Sequence, residues 1–143
     1  MTVIQQEDVI QSIADALRYI SYYHPTDFIR AMREAWEQEE SPAAKAALTQ
    51  VLVNSRMCAI GKRPICQDTG IVNVLISVGM GVRWDAELSL EDMINEGVRR
   101  GYTHPDNVLR GSVLSDPDGL RANTKDNTPA VIHTKIVAGD TVE

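Results

Sequence analysis

The segment RPICQDTG, residues 63–70, places a thiol, an amide and a carboxylate side by side in Cys66, Gln67 and Asp68. A cysteine thiolate can act as a nucleophile or bind a metal, and an aspartate can transfer protons. Each residue also has a structural explanation, because free cysteine is among the most buried residue types and Asp-Thr-Gly is a common turn. No histidine or lysine is adjacent to activate the thiol, so both interpretations remain open on these residues alone.

A second group of polar side chains lies in the loop-like segment NVLRGSVLSDP. Arg110, with Asn107 and Ser112 close by in sequence, could hold a carboxylate through two parallel hydrogen bonds. The alternative is an arginine on the solvated surface. Further along, residues 125–128 (KDNT) are predicted to form a solvated turn, and His133 is predicted to be a structural residue within a strand.

The sequence does not indicate a zinc site. Such sites take about four ligands, often from closely spaced cysteine and histidine pairs. This chain has no C-x-x-C motif, and its three histidines, His24, His104 and His133, are scattered. Cys58 falls near the apolar face of a predicted helix and is interpreted as a core residue.

The elements that must position these side chains begin with helices. Apolar residues recur at helical spacing in three stretches of the first sixty residues. Ser41 with Pro42 is predicted to start the third helix and Gly61 to end it. A fourth helix is predicted in LSLEDMINEGVRRGY, where Ser89 and Asp92 fit a capping box. The predicted apolar positions of the first and fourth helices are Val9, Ile10, Ile13, Ala14, Leu17, Ile20, Leu90, Met93, Ile94 and Val98.

Strands are predicted only after residue 61. IVNVLISVG at 71–79 is short, apolar and rich in β-branched residues, GVRWD is a second short candidate, and AVIHTKIVAGD is a strand followed by a turn. TVE after that turn is interpreted as the start of the returning strand of a hairpin. The polar segment 103–128 shows little periodicity, and a loop of this length is usually functional or disordered.

Together these elements predict an α+β (mixed α/β) fold, in which a helical N-terminal lobe packs on a small β-sheet. The 143 residues fit one domain. Within it, residues 1–61 form the predicted helical lobe and residues 62–143 the strand-containing part with its long polar loop at 103–128. The strand order cannot be read from the sequence.

Composition excludes several classes of protein. The net charge of -6 and the pI of about 5.0 argue against nucleic acid as the main partner, because phosphate binding requires a basic surface. No apolar run approaches the roughly 20 residues that span a bilayer, and the polar N-terminus does not resemble a signal peptide. Two cysteines do not make a disulfide framework, so we expect reduced thiols and a cytoplasmic location.

The motifs CQDTG, NVLRGSVLSDP and NTKDNTPAVIHTKIVAGDTVE together resemble the iron–sulfur-dependent (class I) fumarate hydratases, a family that includes tartrate dehydratase alpha subunits. The resemblance covers nearly the whole chain and is strongest from about Leu48 to Glu143. It implies that Cys66 ligates a [4Fe–4S] cluster and that Gln67 and Asp68 contact the substrate. It also implies that Asp68 takes part in proton transfer and that Arg110 holds a substrate carboxylate.

By this resemblance the activity is that of a hydro-lyase of the tricarboxylic acid cycle, which hydrates fumarate reversibly to malate. A piece of a tartrate dehydratase alpha subunit and a non-catalytic interaction or assembly module are the alternatives, together with a stand-alone thiol or metal-binding protein. The family holds its cluster with three cysteines, and only Cys66 matches one of them here. We therefore expect an N-terminal fragment that is inactive alone. Its expected partners are a dicarboxylate, the rest of the enzyme or a beta subunit, and further copies of itself.

Overall fold

A computed structural model describes residues 2–68, 70–106 and 109–143 of the chain. The chain divides into two compact units, one made of Met1–Leu17 with Asp68–Glu143 and the other of Arg18–Gln67. Helix α1 (Gln6–Tyr22) contributes to both units. Each unit is described separately below.

The unit Arg18–Gln67 is built from helices, which the sequence predicted in the first sixty residues. Helix α2 (Thr26–Gln38) and helix α3 (Pro42–Gly61) follow the end of α1. The indole N–H of Trp36 in α2 donates to Thr49 Oγ1 in α3 at 2.8 Å. Helix α3 has Ser41 as its N-cap residue with proline in the first turn, and its last residue is Gly61, as predicted. The residue in the left-handed conformation is Lys62, with φ of 48°.

Not every apolar position on the predicted stripes is buried. Ile20, predicted to face inward on α1, is 63% exposed, whereas Tyr22 near the end of the same helix is buried. A helix turns once in 3.6 residues. The residue one turn beyond the buried Leu17 is therefore Ser21, and Ile20 lies to the side of the buried face.

In the other unit, the first half of α1 crosses helix α4 (Leu90–Thr103) closely. A Cβ atom added at Gly97 of α4 would lie 2.6 Å from Cβ of Ile13 and 2.8 Å from the carbonyl oxygen of Ile10. Ser89 caps α4 by accepting from the backbone N–H of Asp92 at 3.1 Å, as the capping-box pattern predicted. The most deeply buried apolar side chains of this unit are Ile10, Met93, Ile94 and Val98.

Four strands pair in two parallel two-stranded sheets. Strand β1 (Val3–Gln5) pairs with β3 (Arg83–Asp85). Strand β2 (Asn73–Gly79) pairs with β4 (Val131–Val137) in the register Asn73↔Val131 to Gly79↔Val137. Parallel neighbours require a crossover connection, and the chain between β2 and β4 contains α4. The sequence predicted β2, β3 and β4, but β1 was not predicted, because three residues are too few to show a period.

The segment after the AGD turn returns along the sheet, but it does not form the predicted hairpin with β4. Ser77 of β2 exchanges both backbone hydrogen bonds with Glu143, at 2.8 and 3.0 Å, and Gly79 N–H donates to Thr141 at 2.8 Å. Backbone groups of successive strand residues point to opposite edges. Since Val72 accepts from Val131 of β4, the returning segment lies along the other edge of β2.

The α+β class is therefore confirmed, with helices and small parallel sheets. Among residues 2–68, 70–106 and 109–143, no helix combines the length and apolar character needed to cross a bilayer.

Candidate active site

Cys66 and Gln67 are exposed at the end of the helical unit. The residue before Cys66 is fixed on both sides of its backbone. Ile65 N–H donates to the carbonyl of Ser21 in α1 at 2.9 Å, and the Asn54 side chain in α3 donates to the Ile65 carbonyl at 3.0 Å. Two helices thus hold the backbone from which the Cys66 thiol projects.

The other cysteine has a structural environment. Cys58 is buried, as the helical pattern predicted. Its Sγ lies 3.4 Å from the carbonyl oxygen of Pro64 and 3.6 Å from Oδ1 of Asn54, so the thiol donates within its own unit. The exposed thiol of Cys66 is therefore the one that an external group can reach.

The residues of the described chain do not form a complete iron–sulfur site. Such clusters are held by several cysteine thiolates, and this sequence has two cysteines, of which Cys58 is buried and bonded. Within the described ranges, no three His, Cys, Asp or Glu side chains come together as a metal site. Cys66 fits the role of one ligand and no more.

Asp68 begins the part of the chain that belongs to the other unit, and it forms the predicted turn. Its Oδ1 accepts from the backbone N–H of Gly70 at 3.1 Å. Gly70 has φ of 61°, in the left-handed region that glycine adopts without steric cost. Thr69, the remaining residue of the motif, lies outside the described residues. The carboxylate of Asp68 is thus held by the backbone two residues further on.

Arg110 is exposed. It follows Leu109, which is buried, and precedes Gly111. A Cβ atom at Gly111 would lie 2.9 Å from the carbonyl oxygen of Lys125, so this segment packs directly against the backbone of the loop that follows. Asn107, predicted to assist Arg110, lies outside the described residues. Arg110 therefore projects from a backbone that is fixed on one side by a close glycine contact.

Asn127 brings the Asp68 turn and the Arg110 segment together. Its side chain is completely buried. Oδ1 accepts from the backbone N–H groups of Ser112 and Val113 at 2.7 and 3.2 Å, and Nδ2 donates to the Gly70 carbonyl at 3.1 Å. Ser112 Oγ donates to the same Gly70 carbonyl at 3.1 Å.

The prediction that residues 125–128 form a solvated turn is wrong at Asn127, because its amide replaces water with three protein partners.

Asp126, next to Asn127, is also anchored. Its Oδ1 accepts from the backbone N–H and hydroxyl of Thr128 at 3.1 and 2.8 Å, and its Oδ2 accepts from Arg99 Nε at 3.1 Å. Partial burial acts to raise the pKa of the Asp126 carboxyl, but these donors outweigh it and hold that pKa below its ordinary value. Arg99 lies on helix α4, so its bond to Asp126 links the loop to that helix, and it also bonds to Glu96 of the same helix at 2.6 Å.

The two histidines of this unit are exposed. His133 lies in β4 opposite Leu75 of β2. His104 Nδ1 accepts from the backbone N–H of Asp106 at 3.2 Å, an interaction that completes the turn after α4. Neither observation gives these histidines a chemical role.

Comparison with known proteins adds two findings. A family model described as fumarate hydratase (Fumerase) matches residues 10–143, which is most of the chain. A protein of Methanocaldococcus jannaschii, described as "Putative L(+)-tartrate dehydratase subunit alpha", is 27% identical over 88 residues. That alignment covers 62% of this chain and 31% of the relative, so the chain spans only about a third of the relative's length.

Proposed function

The chain belongs to the fumarate hydratase (Fumerase) family, and we propose that it supplies part of the active site of an iron–sulfur-dependent hydro-lyase. The proposed reaction is the reversible hydration of fumarate to malate. The cytoplasmic location and the place in the tricarboxylic acid cycle stay predictions.

Asp68 is the proposed proton-transfer residue. Dehydration of malate requires a base to accept the proton from the carbon next to one carboxylate as the hydroxyl departs from its neighbour. The bond from Gly70 N–H to Oδ1 orients the Asp68 carboxylate. Gln67, exposed and adjacent in sequence, is the proposed substrate-contacting amide.

Arg110 is the proposed clamp for a substrate carboxylate. A guanidinium presents two parallel N–H donors that match the two oxygens of a carboxylate. The chain has a net charge of -6, so attraction of a dianion depends on local arginines rather than on the overall field. The observation that carries this proposal is the hydrogen-bonded connection through Asn127 between the backbone of the Asp68 turn and the Arg110 segment.

Cys66 is the proposed single thiolate that this chain contributes to a [4Fe–4S] cluster. The remaining ligands would come from sequence outside these residues, either in the same polypeptide or in a partner subunit. The 31% coverage of the tartrate dehydratase relative supports such a division. Exposed apolar side chains on the β2–β4 sheet, among them Leu75 at 78% and Ile136 at 63%, support further contacts with a partner or a second copy.

The second candidate activity is dehydration of tartrate. It is favoured by the name of the relative, which describes that protein as an alpha subunit of a tartrate dehydratase. Tartrate differs from malate by one additional hydroxyl group. A site that hydrogen-bonds this hydroxyl discriminates strongly against the analogue that lacks it.

Kinetics of the purified native assembly, reconstituted anaerobically with iron and sulfide, test the proposal. Malate dehydration is followed by fumarate absorbance, and tartrate is assayed in parallel. Arg110→Ala should raise KM for the dicarboxylate about 10- to 100-fold, the value of a charge-assisted hydrogen bond or two, while the visible absorption of the cluster is kept. Arg121→Ala is the control, because Arg121 is exposed and its side chain bonds locally to the Pro117 carbonyl at 3.2 Å. Equal KM values for the two variants would contradict the role of Arg110.

A further inference from the structure

We propose that Asn127 is a positioning residue that fixes the Asp68 turn and the Arg110 segment relative to each other. This inference rests on the proposed function, because it assigns Asn127 a role in spacing a proton-transfer group and a carboxylate clamp. The three hydrogen bonds of the Asn127 side chain reach both segments at once.

The chemistry of the amide explains why an asparagine stands at this position. A buried polar side chain is costly unless it is hydrogen-bonded. Asn127 is 0% exposed, and its oxygen accepts from two N–H groups while its nitrogen donates to a carbonyl. An uncharged amide provides an acceptor and a donor on its two branches, which an ionised carboxylate of the same size does not. Leucine would fill the volume but leave three backbone groups without this partner.

Two of the backbone groups that bond to Asn127 lie close in sequence to the two proposed site residues. The Gly70 carbonyl lies two residues after Asp68, and the Ser112 N–H lies two residues after Arg110. A shift of either backbone would therefore move one functional side chain with respect to the other. Misplacement of a reacting group by about 1 Å can reduce catalysis about 100-fold.

Asn127 is itself held firmly. Its backbone has φ of 61°, in the left-handed region that asparagine tolerates better than most residues. The residue before it, Asp126, bonds to Arg99 and Thr128. On the facing segment, the close approach of Gly111 to the Lys125 carbonyl leaves no room for a side chain. The position of Asn127 is thus stabilised by helix α4, through Asp126, and by the backbone at Gly111.

The substitution Asn127→Asp tests the bond to Gly70 separately from the bonds to Ser112 and Val113. It keeps an acceptor for Ser112 and Val113 but places an oxygen against the Gly70 carbonyl in place of a donor. In the reconstituted native assembly, we expect KM for the dicarboxylate to rise about 10- to 100-fold. In the double variant with Arg110→Ala, the KM increase should be clearly smaller than the product of the two single increases, because coupled sites are not additive.

Asn95→Asp is the matched control. Asn95 also accepts from a backbone N–H, that of Ala130 at 2.9 Å, and donates to a backbone carbonyl, that of Glu91 at 3.1 Å. These two bonds lead to helix α4 and to the residue before β4 rather than to Gly70 or the Arg110 segment. Its KM effect should be small and should multiply with that of Arg110→Ala. A fully multiplicative effect of Asn127→Asp, or an unchanged KM, would overturn the positioning role.

Hydrogen exchange of the same assembly separates failure of this inference from failure of the proposed function. If Arg110→Ala leaves KM unchanged, the proposed site is wrong. The hydrogen-bonded connection through Asn127 is then tested by amide hydrogen exchange alone. Asn127→Asp should increase amide exchange in residues 70–72 and 110–113 together, whereas Asn95→Asp should not. Unchanged exchange in either segment would contradict the connection whatever the kinetics show.

Discussion

The side-chain amide of Asn127 donates a hydrogen bond to the carbonyl of Gly70 at 3.1 Å, across 57 residues of sequence. The same amide accepts from the backbone that follows Arg110. Two loops without regular secondary structure are in this way joined by one buried side chain. The Asn127 side chain belongs to the motif NTKDNTPAVIHTKIVAGDTVE and bonds to the other two motifs that carry the resemblance to the hydratase family, CQDTG and NVLRGSVLSDP.

The crossing of α1 and α4 predicts the effect of filling one glycine. Gly97→Ala should lower the free energy of unfolding by about 1–3 kcal/mol, because its Cβ would overlap with Ile13 and the Ile10 carbonyl. Urea denaturation measures this change. Gly61→Ala is the control, since the atoms nearest to its Cβ would be those of the Arg63 side chain, at an ordinary contact distance of 3.6 Å. It should leave stability unchanged or raise it by up to about 1 kcal/mol. Equal losses in both variants would argue against the close crossing.

The conformation of the Asp68 turn predicts which substitutions at Gly70 destabilise the fold most. Gly70→Ala should cost about 1–2 kcal/mol of unfolding free energy, because φ of 61° is unfavourable for a residue with a Cβ. No atom would clash with that Cβ, so the cost is conformational. Gly70→Asn should cost clearly less, because asparagine adopts the left-handed region more readily. Thermal denaturation compares the two, and an asparagine variant less stable than the alanine variant would speak against this backbone conformation.

Acid should weaken the connection between α4 and the loop. Hydrogen bonds from Arg100 and then Arg99 lower the pKa of Glu96, and the pKa of Asp126 is also lowered because its donors outweigh the effect of burial. A carboxylate with a lower pKa in the folded chain binds its proton more weakly there than in the unfolded chain. It therefore stabilises the fold above the ordinary carboxylate pKa of about 4 and loses this contribution as the pH falls through the folded value.

Unfolding free energies measured between neutral pH and about pH 3 test this. Asp126→Asn should reduce the acid-side loss of stability, because one of the two carboxylates no longer titrates. Asp15→Asn, which removes an exposed carboxylate from α1, provides the comparison. Identical pH profiles for the native chain and Asp126→Asn would show that Asp126 does not contribute to the acid response.

The 143 residues on their own should neither bind a stable cluster nor turn over malate. This follows from a single exposed cysteine, Cys66, and from the finding that no three His, Cys, Asp or Glu side chains come together as a metal site among the residues that the structure describes. Anaerobic reconstitution with iron and sulfide, followed by visible absorption and a malate assay, measures both properties. Strong cluster absorption from this chain alone would contradict the proposal that the remaining ligands come from sequence outside these residues.

Local patterns predicted much of the fold. The apolar periods of α1 and α4 and the β-branched run of β2 are local features, and Ile10, Met93, Ile94 and Ile76 are buried as those patterns indicated. The returning segment at Glu143 was predicted, but not its edge. Which edge of β2 it takes depends on backbone groups already used by β4, and no local signal contains that information.

The functional site was predictable as a set of residues but not as an arrangement. Cys66, Asp68 and Arg110 were identified from side-chain chemistry and family motifs, and their roles stay predictions. Asn127 was missed because KDNT has the composition of a solvated turn. Its burial follows from bonds to Gly70, Ser112 and Val113, all at least 14 residues away. The one weak local signal was the residue type, since asparagine is among the few residues that tolerate the positive φ that Asn127 adopts.

Replacement of each cysteine in turn tests the central claim most directly. In the native assembly reconstituted anaerobically, Cys66→Ser should abolish the visible absorption of the cluster together with malate or tartrate dehydration. Cys58→Ser, whose hydroxyl can bond to the same Pro64 carbonyl, should keep both. Retention of cluster absorption and turnover by Cys66→Ser would contradict the assignment of this chain as a ligand-bearing part of an iron–sulfur hydro-lyase.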